Sequence, residues 1–227
     1  GMEKFYEEKY GLGKFVPLVH TFNEYPEQSV KTGIPGAGKK HYKLVAIGNF
    51  NESNSDATRR LVNAIKNNDK YSLSLFTHVP PLLLRNRGID TGAIIYEGYI
   101  NPDDVHKRLQ EYDIFVLTHG FDGGYGEVEY RTIFPTRTIP FLLAGKPIFA
   151  HSPSFSFLND FLKENGCAEI VETQSEMDII KGLDKIADDE AYQNELISAG
   201  EKTAELFYGP KVVCLLYTSP SPRDIGE

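Results

Sequence analysis

From residue 43 to residue 171, short runs of β-branched and aromatic residues alternate with longer stretches in which apolar positions recur every three or four residues. That alternation predicts a parallel sheet with helices on both faces. The predicted strands are 43–48, 71–76, 93–97, 113–117, 147–150 and 168–171. The predicted helix 56–66 places Ala57, Leu61, Ala64 and Ile65 on one face and turns Arg59, Arg60 and Lys66 to solvent, with Ser55 or Asp56 as its cap. Pro102, Asp103 and Asp104 open a second helix to about Tyr112, since proline and acids suit a first turn. Further helices are expected over 135–144, 155–165, 175–187 and 189–207, with Gly145 and Gly166 ending two of them. In the fourth of these six, Phe155, Phe157, Leu158, Phe161 and Leu162 read as core. Six β/α repeats make one α/β domain, a doubly wound Rossmann-like parallel sheet over 41–213. Ahead of it, 1–40 reads as a helix over 3–10, a strand-like run over 15–20 and a polar linker over 24–40.

Composition supports one core of ordinary size: 227 residues are 41% hydrophobic and 25% charged. The net charge of −8, with no segment gathering basic residues, argues against nucleic acid as a partner. Cys167 and Cys214 lack CxxC spacing and a second pair, the usage of a reduced cytoplasmic chain. Apolar runs such as 114–117 are far shorter than the roughly 20 residues a membrane span needs. No integral membrane segment or signal is expected, and peripheral contact with a membrane stays compatible.

The string GIPGAGKK over 33–40 matches a phosphate-binding P-loop except at its last position, where Lys40 stands for Ser or Thr. The motif also needs a helix after it, and a strand is predicted there, so a linker is the better reading. In a doubly wound sheet, ligands bind just beyond the carboxyl ends of the strands. After the first strand, GNFNESNS over 48–55 lacks the GxGxxG of a dinucleotide site, which disfavours a nicotinamide or flavin enzyme. After the fourth, HGFDGGYG over 119–126 is glycine-rich and leads through Pro135 to Arg137, a bidentate phosphate donor in a first helical turn. On these residues alone two readings stand: an anion site, or glycines making turns while Arg137 pairs with surface acids. His119 stands at a strand end, as a donor to a phosphate or sugar hydroxyl or as a partly buried turn residue. No HExxH, paired-Cys or DxD string occurs, so no metal and no resident cofactor is expected.

The stretch FPTRTIPFLLAGKPIFAHSP over 134–153 resembles the tyrosine-proline-x-lysine and E-Y-L-A-x-G-K-P-I segment of GT-B glycosyltransferases, group 1 and family 4-like, in their C-terminal donor-binding domain. LVAIGNF, IIYEGYINPDDVHKRLQEYDIFVL, GCAEIVE and the last long helix follow in that family's order, and residues 1–40 resemble the tail of a preceding acceptor domain. The resemblance implies a domain that binds a nucleotide-diphosphate sugar as substrate, with its acceptor, a glycan or other small molecule, held by an N-terminal domain outside this chain.

By the same resemblance, the nucleotide base meets backbone at Gly98, Tyr99 and Ile100, and Arg137 takes the place of the phosphate-side lysine. The implied donor site is Gly48, Asn49, Tyr99, His119, Gly120, Thr136 and Arg137. Two glutamates that many retaining members place eight positions apart are here Thr132 and Pro140, for which Glu127 and Glu129 are the substitutes within reach. Two cations after the first strand are replaced by Asn49 and the Ser53-Asn54 neighbourhood. A non-catalytic binding or scaffold domain, and a sugar-nucleotide epimerase of the same architecture, therefore remain as alternatives. From Cys214 on, LLYTSPSPRD resembles translated adapter or vector sequence of the kind found in environmental DNA; the alternative is a flexible proline-rich tail.

Overall fold

The computed structural model describes residues 2–11, 20–22, 37–122 and 126–210. Its elements in chain order are α1 (Met2–Tyr10), β1 (Tyr42–Ile47), α2 (Ser55–Ile65), β2 (Tyr71–Phe76), α3 (Pro81–Asn86), β3 (Ile95–Gly98), α4 (Val105–Leu109), β4 (Ile114–Thr118), α5 (Glu127–Thr132), α6 (Thr138–Leu143), β5 (Ile148–His151), α7 (Phe157–Asn165), β6 (Glu169–Val171), α8 (Glu176–Asp188) and α9 (Glu190–Ala204). The six strands form one sheet in the order β3-β2-β1-β4-β5-β6, and every pairing is parallel. This is the doubly wound α/β fold expected from the alternation of elements.

Both faces of the sheet are covered, and the pleat explains how. In β1, Tyr42, Leu44 and Ala46 face a cluster with Leu61 and Ile65 of α2 and Ile179, Leu183 and Ile186 of α8. Val45, from the opposite face, joins Leu109, Ile139, Phe141, Leu142, Leu158 and Leu162. The central strand β4 divides likewise, Ile114 and Val116 to the first cluster, Phe115 and Leu117 to the second. A strand buried on both sides has no polar face, and all five residues of β4 are buried.

Strand positions agree with the sequence pattern to within one or two residues. Gly166 ends α7 with a φ of 60°, and Gly145 follows α6 with a φ of 66°, the left-handed turns that glycine supplies cheaply. Asn101 caps the turn at Pro102–Asp104 by accepting from the Asp103 amide at 3.2 Å.

Several expectations are corrected. Two short helices, α3 and α5, stand where no element was expected; each buries a single side chain, Leu84 and Tyr130. Phe155 lies ahead of α7 and is exposed rather than core, while Leu158 and Leu162 are fully buried. Arg60 is turned inward, not to solvent, because α2 packs its polar edge against the loop after β4. The residue before α2 is Asn54, whose side chain makes no capping bond, and the Asp56 carboxylate accepts instead from the Phe121 amide. The strand-like run over 15–20, apart from His20, the linker up to residue 36 and everything after residue 210 lie outside the described residues. Of the P-loop-like string, Lys39 pairs with Asp113 at 2.6 Å, at the amino ends of β1 and β4 and thus at the opposite edge from the ligand side. Among the described residues, no helix is long and apolar enough to cross a membrane.

Candidate functional site

Connections diverge on either side of the β1–β4 junction: the chain moves from β1 outward to β2 and β3, then returns to β4 and proceeds to β5 and β6. Such a switch point leaves a crevice beyond the carboxyl ends of the strands. The β1–β4 register covers Leu44↔Ile114 and Val45↔Phe115, short of both carboxyl ends. Beyond it lies a cleft of about 340 Å³ lined by Ile47, Gly48, Asn49, Asn51, Ser53, Asn54, Thr136 and Arg137.

Arg137, the residue before α6, reaches across this junction. Its Nη2 donates to the Thr118 carbonyl at the end of β4 at 3.1 Å. Its Nη1 lies against Gly48 at the end of β1, where a Cβ would come within 3.0 Å of it. Gly48 has a φ of 151° as well, so space and backbone both favour glycine here. Burial pulls the Arg137 pKa down to about 10, which leaves it cationic at neutral pH. Among the described residues it has no acidic partner, whereas Arg60, Arg108 and Arg131 all do. The pairing of Arg137 with surface acids is therefore not seen.

The loop from Gly48 to Asn54 is shaped by its own polar residues. Asn51 Oδ1 accepts from the Ser53 amide at 3.1 Å and hydroxyl at 2.6 Å, and the Asn51 carbonyl accepts from the Asn54 and Ser55 amides. Asn54 is buried, and among the described residues its Oδ1 finds no donor. On the far side of α2, the Asp56 carboxylate accepts from the Phe121 and Asp122 amides at 3.0 and 3.3 Å and from Arg60 at 2.7 Å. Those bonds hold its pKa below the ordinary carboxylate range despite burial, which acts the other way. The Phe121 ring packs against both the Arg60 guanidinium and the His151 ring, so the start of the glycine-rich loop is pinned to α2.

The implied site residues thus divide. Gly48, Asn49, Thr136 and Arg137 share the cleft. Tyr99, 70% exposed beyond the edge strand β3, stands outside its lining. His119 is 2% exposed, edge-on to Tyr130, and its pKa is lowered to about 4 by burial and by Arg137. Gly120 is packed between α2 and α5, its amide donating to the Ser53 carbonyl at 2.6 Å. Asn51 also lines the cleft, and an Asx turn in GNFNESNS was its only trace in the sequence. Thr132 turns its hydroxyl onto the Val128 and Glu129 carbonyls, Pro140 lies within α6, and Glu127 is bound to Arg131 on the surface. Among the described residues no group of three or more His, Cys, Asp or Glu gathers as metal ligands would.

The fold is that of the Rossmann-like domains of GT-B glycosyltransferases. A sucrose-phosphate synthase from Thermosynechococcus elongatus superposes with a TM-score of 0.67 at 14% identity, over 95% of this chain and 54% of that one. The pneumococcal O-GlcNAc transferase GtfA, solved with UDP and GlcNAc, superposes with a TM-score of 0.61 at 13% identity, over 96% and 42%. The C-terminal domain of a glycosyl transferase group 1 family protein from Francisella tularensis matches with a TM-score of 0.50 at 13% identity, over 82% and 94%. The chain thus spans about half the length of the full-length enzymes and most of an isolated C-terminal domain. No family model and no curated protein matches the sequence.

Proposed function

We propose that this chain is the donor-binding domain of a glycosyltransferase and holds a nucleoside diphosphate sugar in the cleft at the β1–β4 junction. The observation that carries the reading is Arg137, a half-buried cation at the switch point with no acidic partner among the described residues. A desolvated charge of this kind is costly unless an opposite charge arrives, so the cleft is prepared for an anion. In the reading, Arg137 meets the leaving diphosphate, Gly48 lets ligand and guanidinium approach the backbone, and Asn49 and Thr136 supply hydrogen bonds at the rim. Tyr99 and the neighbouring backbone receive the base, and the loop that follows His119 and Gly120 shapes the sugar end. The UDP in the GtfA complex and the shared fold support that assignment. The acceptor, a glycan or other small molecule, would be bound by a partner domain, and the chain alone is expected to bind without turnover, because transfer needs both reactants held together.

A second reading, a non-catalytic scaffold domain of the same fold, draws on Thr132 and Pro140, which place no carboxylate beside the cleft. Ligand binding separates a donor domain from a pure scaffold. The thermal midpoint is measured with UDP, GDP, ADP, dTDP and CDP. At 100 times its dissociation constant, the cognate nucleotide should add about 2.7 kcal/mol of stability, a rise of several degrees. Arg137→Ala is expected to abolish that rise. A well-folded protein indifferent to all five would favour the scaffold.

A further inference from the structure

A second guanidinium serves the same segment of the cleft wall from another element. Arg87, immediately after α3, donates from Nη1 to the Asn49 carbonyl at 3.0 Å and the Phe50 carbonyl at 2.9 Å. Among the described residues its Nε and Nη2 make no hydrogen bond, and it has no acidic partner. Glu52, in the same loop, is exposed and is bonded to neither guanidinium.

The segment it grips is strained. Phe50 has a φ of 42°, the one positive φ of a non-glycine residue among those described. A bulky side chain in that region is strained and persists only where its surroundings impose it. Here the Phe50 ring is 1% exposed in the core and its carbonyl is held by Arg87. At the other end of the segment, Gly48 lies against Arg137. Gly48 and Phe50 are two Cα steps apart, at most about 7.6 Å, so the two guanidiniums touch opposite ends of one three-residue wall.

We propose that Arg87 is the second cation of the cleft, a positioning residue that both fixes the Gly48–Phe50 wall and favours a ligand carrying two phosphates over one carrying a single phosphate. This rests on the diphosphate reading of the cleft. A guanidinium offers five donors, and the Nε and Nη2 groups of Arg87 remain for the ligand or for water that bridges to it.

The test is calorimetric titration with inorganic pyrophosphate and with inorganic phosphate, of the native chain, Arg87→Lys and Arg87→Gln. Arg87→Lys keeps the charge; Arg87→Gln keeps a donor for the carbonyls and loses the charge. Pyrophosphate affinity is expected to fall about tenfold in Arg87→Gln and less than threefold in Arg87→Lys, with phosphate affected less than pyrophosphate. In the native chain, the Arg87 Nε–H resonance, identified by its absence from Arg87→Lys, should shift as pyrophosphate saturates. That measurement decides the matter if Arg87→Gln fails to fold. Equal losses in both variants, or a resonance unmoved by bound pyrophosphate, would leave Arg87 a backbone clamp and overturn the proposal. A folded native chain that binds no pyrophosphate would overturn the diphosphate reading itself.

Discussion

Between pH 7.5 and pH 4.5 the protein is expected to lose about 5 kcal/mol of stability, roughly a third or more of what a domain ordinarily has. Two buried histidines carry this loss. Burial lowers the pKa values of both His119 and His151 to about 4, from 6.5 in the unfolded chain. Since the unfolded state binds protons first, stability is complete above pH 6.5 and drains away as the pH falls toward 4. Each histidine accounts for about 2.5 kcal/mol at pH 4.5. The geometry explains why neither tolerates a proton. His151 donates from Nδ1 to the Val171 carbonyl at 3.0 Å and accepts at Nε2 from Arg60 at 3.2 Å, so a second proton would face an N–H donor. His119 is enclosed beside the Arg137 charge. Asp56 adds a further loss only below this range, because its lowered pKa means that the unfolded chain takes up the proton first as the pH falls through about 4. Urea midpoints across this range measure the slope. His151→Asn should flatten it by about half; a native chain equally stable at pH 7.5 and 4.5 would contradict the assignment.

What the sequence revealed and what it concealed follow from the range of each signal. Strands such as Ile114–Thr118 stood out because a β-rich run buried on both faces stays apolar up to its last position. Helix α2 stood out because Ala57, Leu61 and Ile65 recur at helical spacing. Helices α3 and α5 were hidden: six residues hold less than two turns, Leu82 and Leu83 are exposed, and α5 lies in a polar stretch that resembles a loop. The same limit applies to the site. Arg137 was legible as a cation at a strand-to-helix connection, but its reach to Gly48 and Thr118 depends on strand order. Arg87 left no trace, because its partners are carbonyl oxygens, which every residue type possesses. The inward turn of Arg60 was concealed likewise, since its partners Asp56 and His151 come together only when β5 is laid beside β4.

Gly120 was legible only as a glycine in a glycine-rich loop, and its replacement is expected to be the most disruptive single change near the cleft. A Cβ at this position would lie 2.6 Å from the Ser53 carbonyl, 2.6 Å from Asp56 Oδ1 and 3.0 Å from the Tyr130 hydroxyl. None of these can easily retreat. The carbonyl is backbone and already accepts from the Gly120 amide at 2.6 Å. The carboxylate is fastened by Phe121, Asp122 and Arg60, and the tyrosine is 2% exposed. Forcing a methyl group into this contact pushes the loop after β4 away from α2, at a cost of about 3 kcal/mol by the measure of overpacked cores. For a chain of this size the thermal midpoint should fall by roughly 6–12 °C. Gly126→Ala is the matched control: nothing lies within 4 Å of its Cβ position, and its φ of −70° suits alanine, so its midpoint should stay within about a degree or rise slightly. Because the displaced loop also carries Thr118 and His119 toward or away from Arg137, Gly120→Ala should weaken nucleotide binding even at temperatures where it remains folded. Equal midpoints for the two variants would mean that the contact between α2 and the β4 loop is looser than this packing requires.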